Sequence, residues 1–176
     1  METKKKIIVL AGPSGVGKST LSNILLNYSD TFEFSISATT RAIRLGEKNC
    51  ENYFFLSEEE FKEKIDADEF VEYVEVYPGR WYGTLKSEVE RINKKDNIAI
   101  FDIDVLGALK IKEKYGDEAF VIFIKPESTQ ALEERLRSRG SETEEQIKTR
   151  VERFEEELSY EHSFDFTLTN KTGEIA

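Results

Sequence analysis

The sequence predicts an α/β fold of three layers, with helices covering both faces of a central parallel sheet. Three observations carry that expectation. Four short apolar runs read as buried strands: "IIVLAG" (7–12), "IAIFD" (98–102), "FVIFI" (120–124) and "FDFTL" (164–168). Helix-period patterns follow the first run and separate the later ones. The first run also leads directly into "GPSGVGKST", residues 12–20, where Gly12, a four-residue gap and Gly17-Lys18-Ser19 give the spacing of a phosphate-binding P-loop.

Each element follows from local chemistry. In residues 12–20 the backbone N–H groups of Ser14 to Ser19 point at phosphate oxygens, and Gly12, Gly15 and Gly17 let the backbone approach. The helix that begins near Lys18 adds its positive N-terminal end. Lys18 is placed to reach the β- and γ-phosphates, and the Ser19 hydroxyl to hold Mg²⁺. Leu21, Ile24, Leu25 and Tyr28 then repeat on one helix face. Residues 34–84 differ in character: "FSISA", "YFFL", "FVEYVEV" and "RWYGT" are short, aromatic and β-prone. Among them lies the helix "SEEEFKEKI", where Ser57 and Glu60 suit a capping box. This stretch reads as a small mixed α/β insertion rather than an independent domain. Further on, Ile147, Val151, Phe154 and Leu158 form another helix face. The charge runs "SEEEF" and "RFEEEL" read as solvated helix faces.

Composition narrows the function. A chain of 176 residues fits one domain with a real core. Its net charge of -10 argues against nucleic acid as the main partner, because binding a phosphate backbone needs a basic face. The single cysteine, Cys50, excludes an internal disulfide and suits a reducing compartment. The single histidine, His162, leaves nothing for a histidine metal site or a Ser-His triad. The apolar run after Lys4, Lys5 and Lys6 is too short for a signal peptide, and no run approaches the ~18 apolar residues of a membrane span. The expectation is a cytoplasmic protein with no nucleic acid, membrane or obligate protein partner.

A GTP switch is the first alternative. "DVLG" (104–107) has the Asp-x-x-Gly form, and "NKTG" (170–173) begins like an Asn-Lys-x-Asp guanine reader. The second match places Gly173 where a carboxylate must accept the guanine N–H groups, so this alternative is disfavoured.

Residues 35–55, "SISATTRAIRLGEKNCENYFF", point to a second phosphate. Arg41 and Arg44 lie three apart, with Ser35, Ser37, Thr39 and Thr40 before them and Tyr53 after, a set able to grip a phosphate dianion. Here the sequence closely resembles the guanylate kinase family, enzymes that phosphorylate GMP with ATP. The resemblance covers nearly the whole chain, through "GPSGVGKST", "SISATTRAIRLGE", "YF", "EFVEYVEV", "YGT", "DIDVLGA", "ERLRSRGSETEEQIKTR" and a terminal "TN".

That resemblance implies the division of labour. ATP falls to Gly12, Ser14, Gly15, Val16, Gly17, Lys18, Ser19 and Thr20, with Asn170 on the adenine side. The phosphate of GMP (or dGMP) falls to Arg41, Arg44, Tyr53 and Tyr82, and guanine to Ser37, Glu72, Thr84 and Asp104. The chemistry agrees: carboxylates satisfy the guanine N1–H and N2–H₂ donors, hydroxyls donate to O6, and adenine offers the opposite pattern. Taken singly, Glu72 reads as an exposed strand residue. Catalysis is implied for Lys18, Arg41, Arg135, Arg139 and Arg150, the last three belonging to a helical lid and phosphate clamp. Mg²⁺ is implied at Ser19 and, through water, at Asp102, beside a carboxyl strand end. The corresponding regions are a core (1–33, 85–125 and 151–176), a GMP-binding insertion (34–84) and a lid (about 126–150). Arg137 falls off the motif and reads as solvated.

Four departures from the family pattern stand out. Cys50 replaces a usual glycine, Ile43 a common proline, and Lys171 an acid beside Asn170, while "VYPGRWYGT" carries one extra residue. Two other functions stay open on the sequence. One is an inactive guanylate-kinase-like binding module; the other is a related P-loop kinase for a ribose bisphosphate, which has no need of the guanine-reading set.

Overall fold

The structure is a computed structural model that describes residues 6–140 and 142–171. Lys4, Lys5, Ser141 and Gly173, noted in the sequence, lie outside the described residues. In chain order the elements are β1 (Ile7–Ala11), α1 (Lys18–Tyr28), β2 (Phe32–Phe34), β3 (Ala38–Thr39), β4 (Phe54–Phe55), α2 (Glu58–Asp66), β5 (Phe70–Tyr77) and β6 (Arg80–Leu85). They continue with α3 (Lys86–Asn93), β7 (Ile98–Ile103), α4 (Val105–Tyr115), β8 (Ala119–Pro126), α5 (Thr129–Ser138), α6 (Glu144–Leu158) and β9 (Phe166–Asn170).

The expected parallel sheet has the order β2-β7-β1-β8-β9, all neighbours parallel. Period-2 alternation along β1 decides which layer each side chain joins. Ile7, Val9 and Ala11 pack with Val89 and Ile92 of α3 and Ala108 and Ile111 of α4. Ile8 and Leu10 face the other way, onto Leu21, Leu25 and Leu26 of α1. Strand β9 starts two residues later than the apolar run beginning at Phe164. Phe164 stacks on Phe123 at 5.8 Å and Asp165 caps the Val121 N–H at 2.8 Å, so both serve as the lead-in.

The buried face of α1 differs from the sequence expectation. Ile24 and Tyr28 are 45% and 84% exposed, whereas Leu21, Ser22, Leu25 and Leu26 face inward. The rotation of the helix is set at its start, where Lys18 hydrogen-bonds back to the loop and Ser19 to Asp102. Those contacts override the apolar count further along.

The insertion forms its own sheet, ordered β4-β3-β6-β5, antiparallel except for the β3–β4 pair. Helix α2 closes one face with Phe61, fully buried among Ala38, Phe70 and Leu85 and stacked on Phe70 at 4.5 Å. Burying one such side chain contributes about 2–3 kcal/mol. The capping box expected at Ser57 and Glu60 is present. The run from β2 into the insertion is pinned by Glu88, which accepts the Ile36 N–H at 3.0 Å and holds Arg91, itself a donor to the Phe34 carbonyl.

Helices α5 and α6 pack through Leu132, Leu136, Ile147 and Phe154, with Val151 and Leu158 alongside, the face expected from the sequence. Helix α6 runs unbroken across residues 150 and 151. The charge run on α2 is solvated as expected, but "RFEEEL" on α6 is so only in part: Glu155 and Glu156 are exposed, whereas Glu157 is 5% exposed and Arg153 is half-buried.

Cys50 occupies the left-handed region, φ 63°, in the turn that brings Tyr53 back beside Asn49. That conformation costs a non-glycine residue about 1–2 kcal/mol, against about 0.5–1 kcal/mol for the added backbone freedom of glycine. Cys50→Gly is therefore expected to raise stability by about 0.5–1 kcal/mol. Urea denaturation of the two proteins checks this, and a destabilised variant would contradict the strain assigned to the turn.

Candidate functional site

The phosphate loop sits between β1 and α1 and is wedged against the neighbouring strands. A Cβ at Gly12 would lie 2.2 Å from the Ile124 carbonyl oxygen of β8, so only glycine fits there. At Gly17 it would lie 2.5 Å from the Asn170 amide nitrogen at the end of β9. Lys18 curls back so that its ammonium donates to the Gly12 and Pro13 carbonyls at 2.7 and 3.0 Å, and it stands 3.8 Å from Asp102. Ser19 donates to the second Asp102 oxygen at 2.8 Å. The expected phosphate and metal groups are thus mutually braced at the carboxyl end of β7.

A hydroxyl and a carboxylate at this spacing suit a hard cation that keeps most of its waters and takes its other ligands from substrate phosphates, as Mg²⁺ does. Among the described residues no cluster of three or more His, Cys, Asp or Glu could form a metal cage of its own.

A single cavity of about 570 Å³ joins this loop to the insertion. Ser14, Gly15, Gly17, Ser19 and Thr20 line it with Lys18 at one end; Ser37, Tyr53, Tyr82, Glu72 and Asp104 line the other. Arg41, Arg44, Arg139 and Arg150 also reach it. Four expected site residues do not line it. Val16 is buried under the loop, and Asn170 donates its side-chain amide to the Val16 carbonyl at 2.7 Å, bracing the loop from behind. Arg135 donates to the Asn170 carbonyl at 2.9 Å. Thr84 stands behind Glu72, giving its hydroxyl proton to that carboxylate at 2.8 Å.

The end of the cavity away from the loop is built on β5, β6 and the start of α4. Glu72 is 5% exposed, contrary to the bland expectation for a strand glutamate, because alternation along β5 turns it inward. Its Oε2 lies against Gly107, where a Cβ would come within 3.0 Å. Asp104 is the N-cap of α4, accepting the Leu106 and Gly107 N–H groups at 2.9 and 3.2 Å. Tyr53 and Tyr82 meet edge to face at 6.1 Å, and burial pushes the Tyr53 hydroxyl pKa up.

Arg41 is 9% exposed and lies over the Tyr53 and Phe55 rings, 5.3 and 5.5 Å from their centroids. Glu47, absent from the sequence-derived set, grips it with two hydrogen bonds of 2.9 and 2.8 Å and also accepts the Arg44 N–H at 2.7 Å. One carboxylate therefore arranges both candidate phosphate arginines. Its signal in the sequence was its place three residues after Arg44, the spacing of a turn closed by a side chain. Thr39 and Thr40 do not join the phosphate grip: their hydroxyls donate to the Trp81 and Gly79 carbonyls and hold the insertion sheet together.

On the lid side, Arg139 is exposed at the cavity edge, and Arg150 pairs with Glu142 at 2.8 Å. Arg137 is solvent-facing as expected, paired with Glu133 and Glu144. Two further residues of α6 line the cavity without having been singled out, Arg153 and Glu157, paired at 2.8 Å. Their positions, three and seven after Arg150, put them on the same helix face, a signal hidden inside a charge run.

Burial is the main cause of a rise in the Glu72 carboxyl pKa from 4.5 to about 7; the Thr84 hydroxyl opposes it and the Asp104 charge adds to it. Between those two values the folded chain holds more protons at Glu72 than the unfolded chain, so this group lowers stability as pH rises through the window. Glu72→Gln carries no such titration and is expected to gain stability relative to the parent chain as pH climbs from about 5 to about 8. Denaturation midpoints of both proteins across that range test this; a constant difference would mean that Glu72 does not titrate there.

Comparisons with known proteins point to one family. The family model described as guanylate kinase matches residues 4–175. The guanylate kinase of Porphyromonas gingivalis is 52% identical over 166 residues, covering 94% of this chain and 88% of that protein. The guanylate kinase of Salinibacter ruber is 43% identical over the same shares of the two chains. Among solved structures, guanylate kinase from Anaplasma phagocytophilum superposes with a TM-score of 0.77 at 28% identity, covering 99% of this chain and 80% of that one. The chain belongs to the guanylate kinase family.

Proposed function

We propose that the chain transfers the γ-phosphoryl group of ATP to GMP, and to dGMP, giving ADP and GDP or dGDP. The observation that carries this is one cavity lined at one end by the phosphate loop and at the other by the paired carboxylates Glu72 and Asp104. The loop suits a nucleoside triphosphate. Two carboxylates side by side suit a base edge rich in N–H donors, which is guanine rather than adenine. Ionised Glu72 and Asp104 accept from N1–H and N2–H₂, and the Ser37 hydroxyl donates to O6. An inactive binding module has no use for the Lys18, Ser19 and Asp102 arrangement, and a ribose bisphosphate has no base for Glu72 and Asp104 to read.

The chemistry is positioning and charge neutralisation. A phosphate monoester dianion is already a nucleophile near neutral pH, so no general base is required. Arg41 and Arg44, arranged by Glu47, hold the acceptor phosphate with Tyr53 and Tyr82. Lys18 and the loop N–H groups hold the β- and γ-phosphates of ATP. Asn170 supports ATP through the loop backbone, and Arg135 supports Asn170. Arg139 and Arg150 stand where negative charge builds on the transferring group, and they exclude water when the lid region covers the cavity. Ser19 and, through water, Asp102 would hold Mg²⁺, which when bound neutralises charge between the β- and γ-phosphates. Nothing in this scheme calls for nucleic acid, membrane or a protein partner, and a cytoplasmic setting suits it.

ADP release measured with GMP, dGMP, AMP and a ribose bisphosphate tests the substrate class. Turnover is expected with the first two alone, and comparable rates with AMP would overturn the guanine assignment. Lys18→Ala is expected to cut turnover by about 10³-fold with the fold intact; near-normal turnover would remove Lys18 from the chemistry. Arg41→Ala is expected to raise the KM for GMP well above any change in the KM for ATP. Equal changes would mean that the two phosphate sites are wrongly divided.

A further inference from the structure

Arg153 makes contacts that neither phosphate site explains. It stands on α6, yet its guanidinium reaches three other parts of the molecule. Nε donates to Glu157 at 2.8 Å on its own helix. Nη1 donates to the Val76 carbonyl on β5, and the guanidinium carbon lies 5.3 Å from the Tyr77 ring centroid on the same strand. Nη2 stands 3.6 Å from Asp104 Oδ1 at the N-cap of α4. One side chain thus joins the lid-side helix to the insertion and to the core.

The contact with Asp104 has a particular geometry. The Leu106 and Gly107 N–H groups and the Arg153 guanidinium all approach the same oxygen, Oδ1. A carboxylate gripped through one oxygen presents the other in a fixed direction. The Arg153–Glu157 pair beside this contact is not fully satisfied. Arg153 Nη2 and Glu157 Oε2 are both buried without a hydrogen-bond partner, and imperfectly satisfied buried pairs are often replaceable by apolar residues at no loss of fold. A pair left imperfectly satisfied while it holds a carboxylate at a cavity wall has the character of a functional arrangement.

We infer that Arg153 is a positioning residue for the acceptor base: it fixes the direction in which Asp104 presents its free oxygen and holds α6 against the insertion at Tyr77. This rests on the reading that a guanine nucleotide occupies the Glu72–Asp104 end of the cavity. The interaction is with the wall of the acceptor site, so ATP handling at the phosphate loop is separate from it.

The test uses the full chain and steady-state kinetics with GMP and ATP varied in turn, with thermal denaturation alongside. Arg153→Ala removes the contact but strands Glu157, so the double variant Arg153→Leu with Glu157→Leu is made as well. Both are expected to raise the KM for GMP by about 10- to 100-fold, the factor of one charge-assisted contact, with the KM for ATP moving less than about twofold. The double variant is expected to melt no lower than the parent chain, which separates positioning from a structural role. Arg153→Lys keeps the charge but not the forked reach, and is expected to fall between the parent and Arg153→Ala in KM for GMP. Equal rises in both KM values, or no rise in the double variant, would overturn the inference alone. A parent chain that releases no ADP with GMP would overturn the phosphotransfer reading, and this inference with it.

Discussion

The donor half of the site depends on a bare stretch of backbone pressed against β8. With 2.2 Å between a Gly12 Cβ and the Ile124 carbonyl, no other residue can hold the loop at that depth. The depth in turn brings the Gly12 and Pro13 carbonyls within reach of the Lys18 ammonium and brings Ser19 to Asp102. Behind the loop, Asn170 ties the Val16 carbonyl to the last strand of the sheet. The loop's shape is therefore settled during folding, before any phosphate arrives, and its N–H groups need little reorganisation on binding. Preorganised dipoles of that kind are worth more than the same groups assembled on demand.

The acceptor half solves a different electrostatic problem. The chain carries a net charge of -10, yet the proposed reaction asks it to collect cations around two phosphate groups. The candidate phosphate cations are given internal carboxylates: Arg41 has Glu47 and Arg150 has Glu142. Each pair limits the repulsion that a cluster of bare guanidiniums would suffer. On the proposed reading, a bound phosphate would compete with a carboxylate already in place. The same logic runs in reverse for Glu72, whose burial and closeness to Asp104 favour the neutral acid until a donor-rich ligand supplies partners.

Much of this was legible in the sequence, and the limits have physical causes. Apolar runs located the parallel sheet because a strand covered on both faces has no polar side to break the run. The P-loop spacing located the donor site because the backbone geometry of a phosphate cradle tolerates few sequences. The insertion was recognisable as mixed α/β, and its capping box was readable residue by residue. Tertiary demands were harder to see. On α1, the fixed direction of Lys18 and Ser19 rotated the helix so that Ile24 and Tyr28 reach solvent. The strand period puts Glu72 on the inward face with Phe70 and Val74, but a carboxylate there reads as exposed until its partners Thr84 and Gly107 are in place. Thr39 and Thr40 looked like phosphate ligands because hydroxyls beside arginines often are, but the short β3 needed them to secure its neighbours. Glu47, Arg153 and Glu157 were missed because a carboxylate or a charge run has a solvent-facing explanation by default.

Helix α6 shows how far that default can mislead. Its apolar positions, Ile147, Val151, Phe154 and Leu158, lock it to α5. Its other inward face, formed by Arg150, Arg153 and Glu157, is polar and lines the cavity. The helix is therefore buried on two sides for different reasons, one by apolar packing and the other by ion pairs and the Tyr77 ring. Because the packing against α5 fastens the two helices together, the polar face of α6 and the Arg139 that follows α5 are held by one helix pair. On the proposed reading, the cations for the transferring phosphoryl group and the contacts governing the acceptor base are therefore carried by the same pair of helices.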